Sequence, residues 1–104
     1  MSREYYPDRW EIVEITHKDQ APFRKVLAGW FGGYAGSDSW RFSSPIQHEE
    51  EIDGVLVCTT ASGNKYYCPK ATRGFSSLTG GVFNTLKERG LDADIKVEIV
   101  KVLV

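Results

Sequence analysis

The hydrophobic pattern of the chain changes period once, and this change limits the folds that it can adopt. Up to residue 68 the apolar residues come in short runs rich in β-branched and aromatic side chains, separated by Pro, Gly, Asn and Asp. Such runs predict strands. From Phe75 to Leu86 the spacing becomes three and four residues, which predicts one face of a helix. Residues 94–104 are again β-rich, so the order of elements predicts an α+β fold.

We predict a five- to six-stranded antiparallel, curled sheet with one helix, about residues 76–89, packed on it and a C-terminal strand. A barrel-like sheet is the alternative. With 104 residues the chain is expected to form a single domain, 1–104. The predicted strands are Arg9–His17, Arg24–Phe31, Ser39–Ser44, Val55–Thr60, Lys65–Cys68 and part of Asp94–Val104, with Ile46–Ile52 as an optional further extended segment.

The predicted helix has a capping residue at its start and a glycine near its end. Ser76 or Ser77 can accept hydrogen bonds from the first free amides, and Gly90 stands where a C-terminal glycine is expected. Gly80-Gly81 opposes this prediction, since each glycine costs roughly 1 kcal/mol relative to alanine. Either the helix begins after them with Thr79 as its cap, or the glycines let it lie close to the sheet.

The C-terminal strand has an irregular apolar pattern. Ile95, Val97 and Ile99 alternate with polar residues, and the alternation slips at Val100. The slip predicts either a bulge or burial on both faces. We expect this strand to lie inside the sheet, with a dimer edge as the alternative, so the protein is a monomer or a homodimer.

Cys58 and Cys68 are separated by nine residues, and no second pair accompanies them. Zinc sites usually use closely spaced cysteine pairs, so we predict buried free thiols, with a disulfide or a metal as the alternatives. If the intervening turn comprises residues 62–64, the two cysteines are directly opposed on neighbouring strands. We predict that the protein holds no metal and no cofactor.

Charge and hydropathy restrict the class of protein. The formal net charge is −1, which argues against direct nucleic-acid binding, because such domains are usually basic. No apolar run reaches the roughly 18 residues that a membrane span needs, and the N-terminus does not resemble a signal peptide. We therefore expect a cytoplasmic protein without membrane contact.

Residues 29–44 concentrate aromatic residues and glycines. They hold five of the 13 aromatic residues and four of the ten glycines. Exposed aromatic residues and arginine supply most of the binding energy at protein interfaces. The candidate binding residues are therefore Trp30, Tyr34, Asp38, Arg41, Lys65 and Tyr66, whereas Trp10, Trp40 and Phe42 are predicted to be core.

Catalytic motifs are missing from the sequence: it has no nucleophile elbow, no phosphate-binding loop and no His-Glu-x-x-His helix. Asp38 with His17 or His48 is the remaining possibility for acid–base chemistry, but an aspartate in a Gly/Ser turn more often caps its own loop. We therefore predict that the protein is not an enzyme.

The segment Lys25–Ile46, with its Gly-Trp-Phe-Gly-Gly-Tyr run followed by Gly-Ser-Asp-Ser-Trp-Arg, resembles a motif of small bacteriophage and prophage proteins. It covers about a fifth of the chain and brings no assigned activity. The resemblance implies a protein of the host-cell cytoplasm that binds and inhibits a host protein or defence complex, as anti-CRISPR proteins do. A small-ligand or nucleotide-sequestering protein is the alternative, and a nucleic-acid-associated module is the second alternative.

Overall fold

A computed structural model describes residues 2–32 and 37–101. These residues form eight strands and one α-helix, α1, together with a short 3₁₀ turn at Lys70–Thr72. The helix spans Ser77–Asp92. The strands are β1 (Glu4–Tyr5), β2 (Arg9–His17), β3 (Phe23–Trp30), β4 (Ser39–Phe42), β5 (Ile46–Ile52), β6 (Val55–Thr60), β7 (Lys65–Pro69) and β8 (Ile95–Ile99).

The strands form two four-stranded sheets. Sheet 1 has the order β1-β7-β6-β5, and sheet 2 has the order β4-β3-β2-β8. All pairs are antiparallel except β1 with β7. The α+β class, the single helix and the mostly antiparallel pairing are confirmed. The strand arrangement differs from the prediction of one five- to six-stranded sheet, because β2 and β3 turn apolar side chains to both of their faces.

Two hydrophobic clusters lie on opposite sides of sheet 2. Trp10 and Ile12 of β2 pack against sheet 1, in a cluster that includes Leu56 and Tyr66. Val13 belongs to the second cluster, with Phe83 of α1. Neighbouring residues of a strand point to opposite faces, so a strand between two layers is apolar on both. The molecule is therefore layered as sheet 1, sheet 2 and helix.

Helix α1 starts where the sequence predicts and ends later. Ser76 is the N-cap: its side chain accepts a hydrogen bond from the Thr79 N–H, and the Thr79 hydroxyl accepts one from the Ser76 N–H. The helix passes through Gly80-Gly81. A Cβ at Gly80 would lie 3.7 Å from the Phe75 Cβ atom, which is not part of the sheet, and a Cβ at Gly81 would meet no atom within 4 Å. Neither explanation offered for these two glycines therefore holds.

Gly90 does not end the helix, so that prediction is wrong. The helix continues to Asp92, and Gly90 is buried where the backbone of β8 crosses it. A Cβ at Gly90 would lie 2.5 Å from the carbonyl oxygen of Ile95. Gly29 of β3 has a similar role at the other end of the helix, because its Cβ would lie 2.9 Å from the Thr79 Cγ2 atom. Both glycines permit close packing of the helix on sheet 2.

The turn between β6 and β7 sets the register of the cysteines. The Thr60 N–H donates to the Asn64 carbonyl at 2.9 Å, so the loop comprises residues 61–63, and Gly63 adopts a φ of 86°. The loop therefore begins one residue earlier than predicted. Cys58 consequently opposes Tyr66, and the direct opposition of Cys58 with Cys68 is wrong. Both thiols are free and buried.

The C-terminal strand explains the slip in the apolar pattern. Ile99 packs on the helix side of sheet 2, whereas Val100 is buried between the sheets and its N–H donates to the Ile12 carbonyl. Of the two explanations for the slip, burial of the C-terminal strand on both faces is therefore confirmed, and the bulge is not. Strand β8 lies at the edge of sheet 2, which corrects the expectation of an internal strand.

Candidate functional site

Three of the six predicted binding residues meet around the ring of Tyr5. Trp30 of β3, Arg41 of β4 and Tyr66 of β7 come from both sheets, and β1 brings Tyr5 between them. Tyr5 could not be predicted from the sequence, because a two-residue parallel strand has no detectable periodicity. We call these four residues the aromatic cluster.

Contacts within the aromatic cluster are largely internal. The ring centroids of Tyr5 and Tyr66 are 4.8 Å apart and stacked, and the Arg41 guanidinium lies 4.9 Å from the Tyr5 centroid. Arg41 Nε also donates to the Tyr66 hydroxyl at 3.1 Å. Burial raises the pKa of Tyr66, and the hydrogen bond from Arg41 opposes this effect. Tyr66 is only 1% exposed, so its side chain supports the cluster from within.

The remaining predicted residues do not join the aromatic cluster. Asp38 is exposed, and its carboxylate accepts a hydrogen bond from the Gly32 N–H at 3.0 Å, which is the capping contact expected for a turn aspartate. Lys65 is exposed on β7, where its backbone N–H donates to the Arg3 carbonyl. Tyr34 and the glycine-rich turn at 33–36 lie outside the described residues.

A second tyrosine pair lies on the outer side of sheet 1. The rings of Tyr6 and Tyr67 are stacked with centroids 4.8 Å apart, and both hydroxyls donate to the carboxylate of Glu4, at 2.8 and 3.2 Å. The hydrogen bond to Glu4 raises the pKa of Tyr6. The pKa of Tyr67 is also raised, mainly by burial and to a smaller extent by the Glu4 carboxylate. This pair therefore holds the N-terminal segment on β7.

Trp40 lies on the surface, so its prediction as a core residue is wrong. Its side chain is 47% exposed, since β4 is the edge strand of sheet 2 and, among residues 2–32 and 37–101, has no strand beside it on one side. Trp10 is fully buried, as predicted. Phe42 is half-buried and packs against the helix-side cluster, with Lys25 Nζ 4.3 Å from its ring centroid.

Trp40 forms one wall of a groove whose other wall is helix α1. We call it the β4–α1 groove. Its volume is about 520 Å³. The helix contributes apolar and small side chains to it and one cation, Arg89. The lining residues are Trp40, Ser77, Leu78, Gly81, Val82, Thr85, Leu86 and Arg89.

The groove is apolar because sheet 2 covers the predicted apolar row of α1 only in part. The periodicity predicts a core-facing row through Leu78, Val82 and Leu86, but the residues buried on the sheet are Thr79, Phe83 and Gly90. Adjacent residues of a helix are rotated by about 100°. The predicted row therefore lies to one side of the buried face and is only half covered.

Edge strand β4 adds to this groove backbone groups that no other described residue pairs with. The Ser43 N–H donates to the Val26 carbonyl, and Ala28 pairs with Arg41 in the same register. Hydrogen bonding alternates along an antiparallel strand. The N–H and C=O groups of Trp40 and Phe42 therefore point away from β3, toward the open side of the sheet.

The cysteines, the potential metal ligands and the helix of the described residues do not form a second candidate site. The hydrogen bond with Cys58 and burial raise the pKa of the Cys68 thiol far above its ordinary value, so it is a poor nucleophile. In residues 2–32 and 37–101, no three His, Cys, Asp or Glu side chains converge as a metal site. Within the same ranges no helix has the length and apolar character that crossing a membrane requires.

Comparison with protein-family models, with curated proteins and with solved structures gave no match for this chain.

Proposed function

We propose that this protein acts by binding another protein, and that its docking surface is the β4–α1 groove. The observation that carries the proposal is the exposed indole of Trp40 beside the half-covered row of Leu78, Val82 and Leu86. Tryptophan and arginine are the residues most enriched among interface positions with large binding energies. Apolar surface that the protein's own sheet leaves uncovered is typical of interaction sites.

The resemblance to phage proteins extends the proposal to the partner. A host-cell protein or defence complex is the expected target, and inhibition would follow from occupation of its surface. The aromatic cluster supports this role indirectly, because it fixes Arg41 and therefore the position of β4.

Native mass spectrometry of the tagged chain, purified from a lysate of a bacterial host, tests the proposal. We expect a stoichiometric protein companion that is lost in the variants Trp40→Ala and Gly81→Leu. Asn84→Leu is the matched control, because Asn84 is exposed on α1 and does not line the groove. A companion that survives both groove variants, or a bare chain, would contradict the proposal.

A further inference from the structure

We infer that the segment bound in the β4–α1 groove is an extended, acidic stretch of the partner that adds to sheet 2 as a strand beside β4. This inference rests on the proposed function and specifies the chemistry of the partner. It follows from the backbone of β4, the shape of the groove and the charge at its rim.

The free backbone groups of β4 indicate that the bound segment of the partner is extended. The outward N–H and C=O groups of Trp40 and Phe42 are in register with the hydrogen-bonding groups of a further antiparallel or parallel strand. Strand addition to an exposed edge takes its affinity from main-chain hydrogen bonds and its specificity from pockets that receive alternate side chains. Here the side chains of Trp40 and Phe42 face the helix, so alternate residues of an added strand would face α1.

The other long edges of the two sheets are protected by charge. Strand β8 carries Lys96 and Glu98, both exposed, and β5 carries the run Glu49-Glu50-Glu51. Charged side chains on an edge discourage pairing with other chains. Strand β4 carries one charged side chain, Arg41, and that side chain is held against Tyr5 and Tyr66 on the face opposite to the helix. Among the described residues, β4 combines an open edge with an exposed tryptophan and an adjoining apolar groove.

Gly81 makes room for the added side chains. It is exposed, lines the groove, and has no atom within 4 Å of the position that a Cβ would take. A helix interior otherwise disfavours glycine by about 1 kcal/mol relative to alanine. The open space above Gly81 fits an apolar side chain projecting from a strand at β4.

Arg89 indicates an acidic partner. It is exposed at the rim of the groove, and in the described part of the chain it makes no ion pair. A carboxylate from the added segment would supply that pair, and charge complementarity of this kind favours the correct partner. The occupant is therefore a segment that alternates apolar residues with polar ones and contains at least one carboxylate.

Display selection with a library of random peptides, roughly ten residues long, against the full chain tests the inference. We expect the selected peptides to alternate apolar and polar residues and to include an acid. Gly81→Leu should weaken their binding at least about tenfold, equivalent to about 1.4 kcal/mol, whereas Asn84→Leu should leave it unchanged. Arg89→Gln should weaken binding with a reduced dependence on salt.

Backbone N-methylation of a selected peptide distinguishes a strand from any other bound conformation. We expect methylation to abolish binding at one set of alternate residues and to be tolerated at the other set. Binding that depends on Gly81 but tolerates every N-methyl group would overturn strand addition and leave the groove as the docking surface. Peptides indifferent to Gly81→Leu would overturn both. Failure to select any peptide would overturn strand addition, while the native mass spectrum still tests the groove.

Discussion

The two glycines Gly81 and Gly90 of α1 have opposite roles, and replacing each by alanine separates them. At Gly81 an added methyl group meets no atom within 4 Å, so the change removes only the helix penalty of glycine. We expect Gly81→Ala to raise the free energy of unfolding by about 1 kcal/mol. For a chain of 104 residues this corresponds to a rise in Tm of roughly 4 °C.

At Gly90 the same methyl group would lie 2.5 Å from the carbonyl oxygen of Ile95 and 3.2 Å from Val97 Cγ2. Helix α1 would have to move away from β8 to relieve these contacts. Forcing an extra methyl group into a well-packed site typically costs about 1–3 kcal/mol, which exceeds the propensity gain. We therefore expect Gly90→Ala to lower the free energy of unfolding by up to about 2 kcal/mol, since the methyl group meets backbone rather than a flexible side chain.

Urea unfolding followed by circular dichroism measures both effects. The midpoint should shift upward for Gly81→Ala and downward for Gly90→Ala, with an unchanged m-value in each case, because the surface exposed on unfolding is the same. A loss of stability in Gly81→Ala would refute the reasoning, since it would mean that the position is already packed. Equal shifts in the two variants would refute the assignment of Gly90 to the contact with β8.

Three further outcomes follow from the described contacts. Gly29→Ala should destabilise the protein by about 1–3 kcal/mol in the same urea assay, because its methyl group would clash with the N-terminus of α1; no change would argue against that close approach. Glu4→Gln should lower the pKa of Tyr6 toward its ordinary value, measured by near-ultraviolet absorbance titration. Because the pKa of Tyr6 is raised in the native state, the contact between Tyr6 and Glu4 stabilises the fold at neutral pH, and this contribution is lost as the pH rises through the native pKa of Tyr6. An unchanged titration in Glu4→Gln would contradict the contact. Cys58 and Cys68 should react slowly with a thiol reagent in the native state and rapidly after unfolding; fast native labelling would show that they are accessible.

Local sequence signals predict local structure well in this chain. The turn at Asp53-Gly54 joins β5 to β6 with both residues at positive φ, a conformation that Asp-Gly favours in two-residue hairpin turns. Ser76, one of the two serines predicted as the cap, caps α1. Each of these features depends on a few neighbouring residues, so the sequence contains the whole of the information.

Features that depend on distant parts of the chain were harder to predict. Trp10 and Trp40 are each followed two positions later by an apolar residue, yet Trp40 lies on an edge strand and Trp10 lies between two sheets. The row of Leu78 and Val82 matches a core pattern, but Phe83 occupies the buried face of the helix. The β4–α1 groove is lined by Trp40 and by this row, both of which the sequence pattern assigns to the core. The groove could therefore not be predicted from the sequence alone.

Residue-resolved amide hydrogen exchange of β4 tests strand addition most directly. In the free protein the Arg41 N–H should exchange slowly, because it faces β3, whereas those of Trp40 and Phe42 should exchange rapidly at the open edge. Binding of a selected peptide should slow exchange at Trp40 and Phe42 and leave Arg41 unchanged. Rapid exchange at Trp40 and Phe42 in the saturated complex would contradict the addition of a strand at β4.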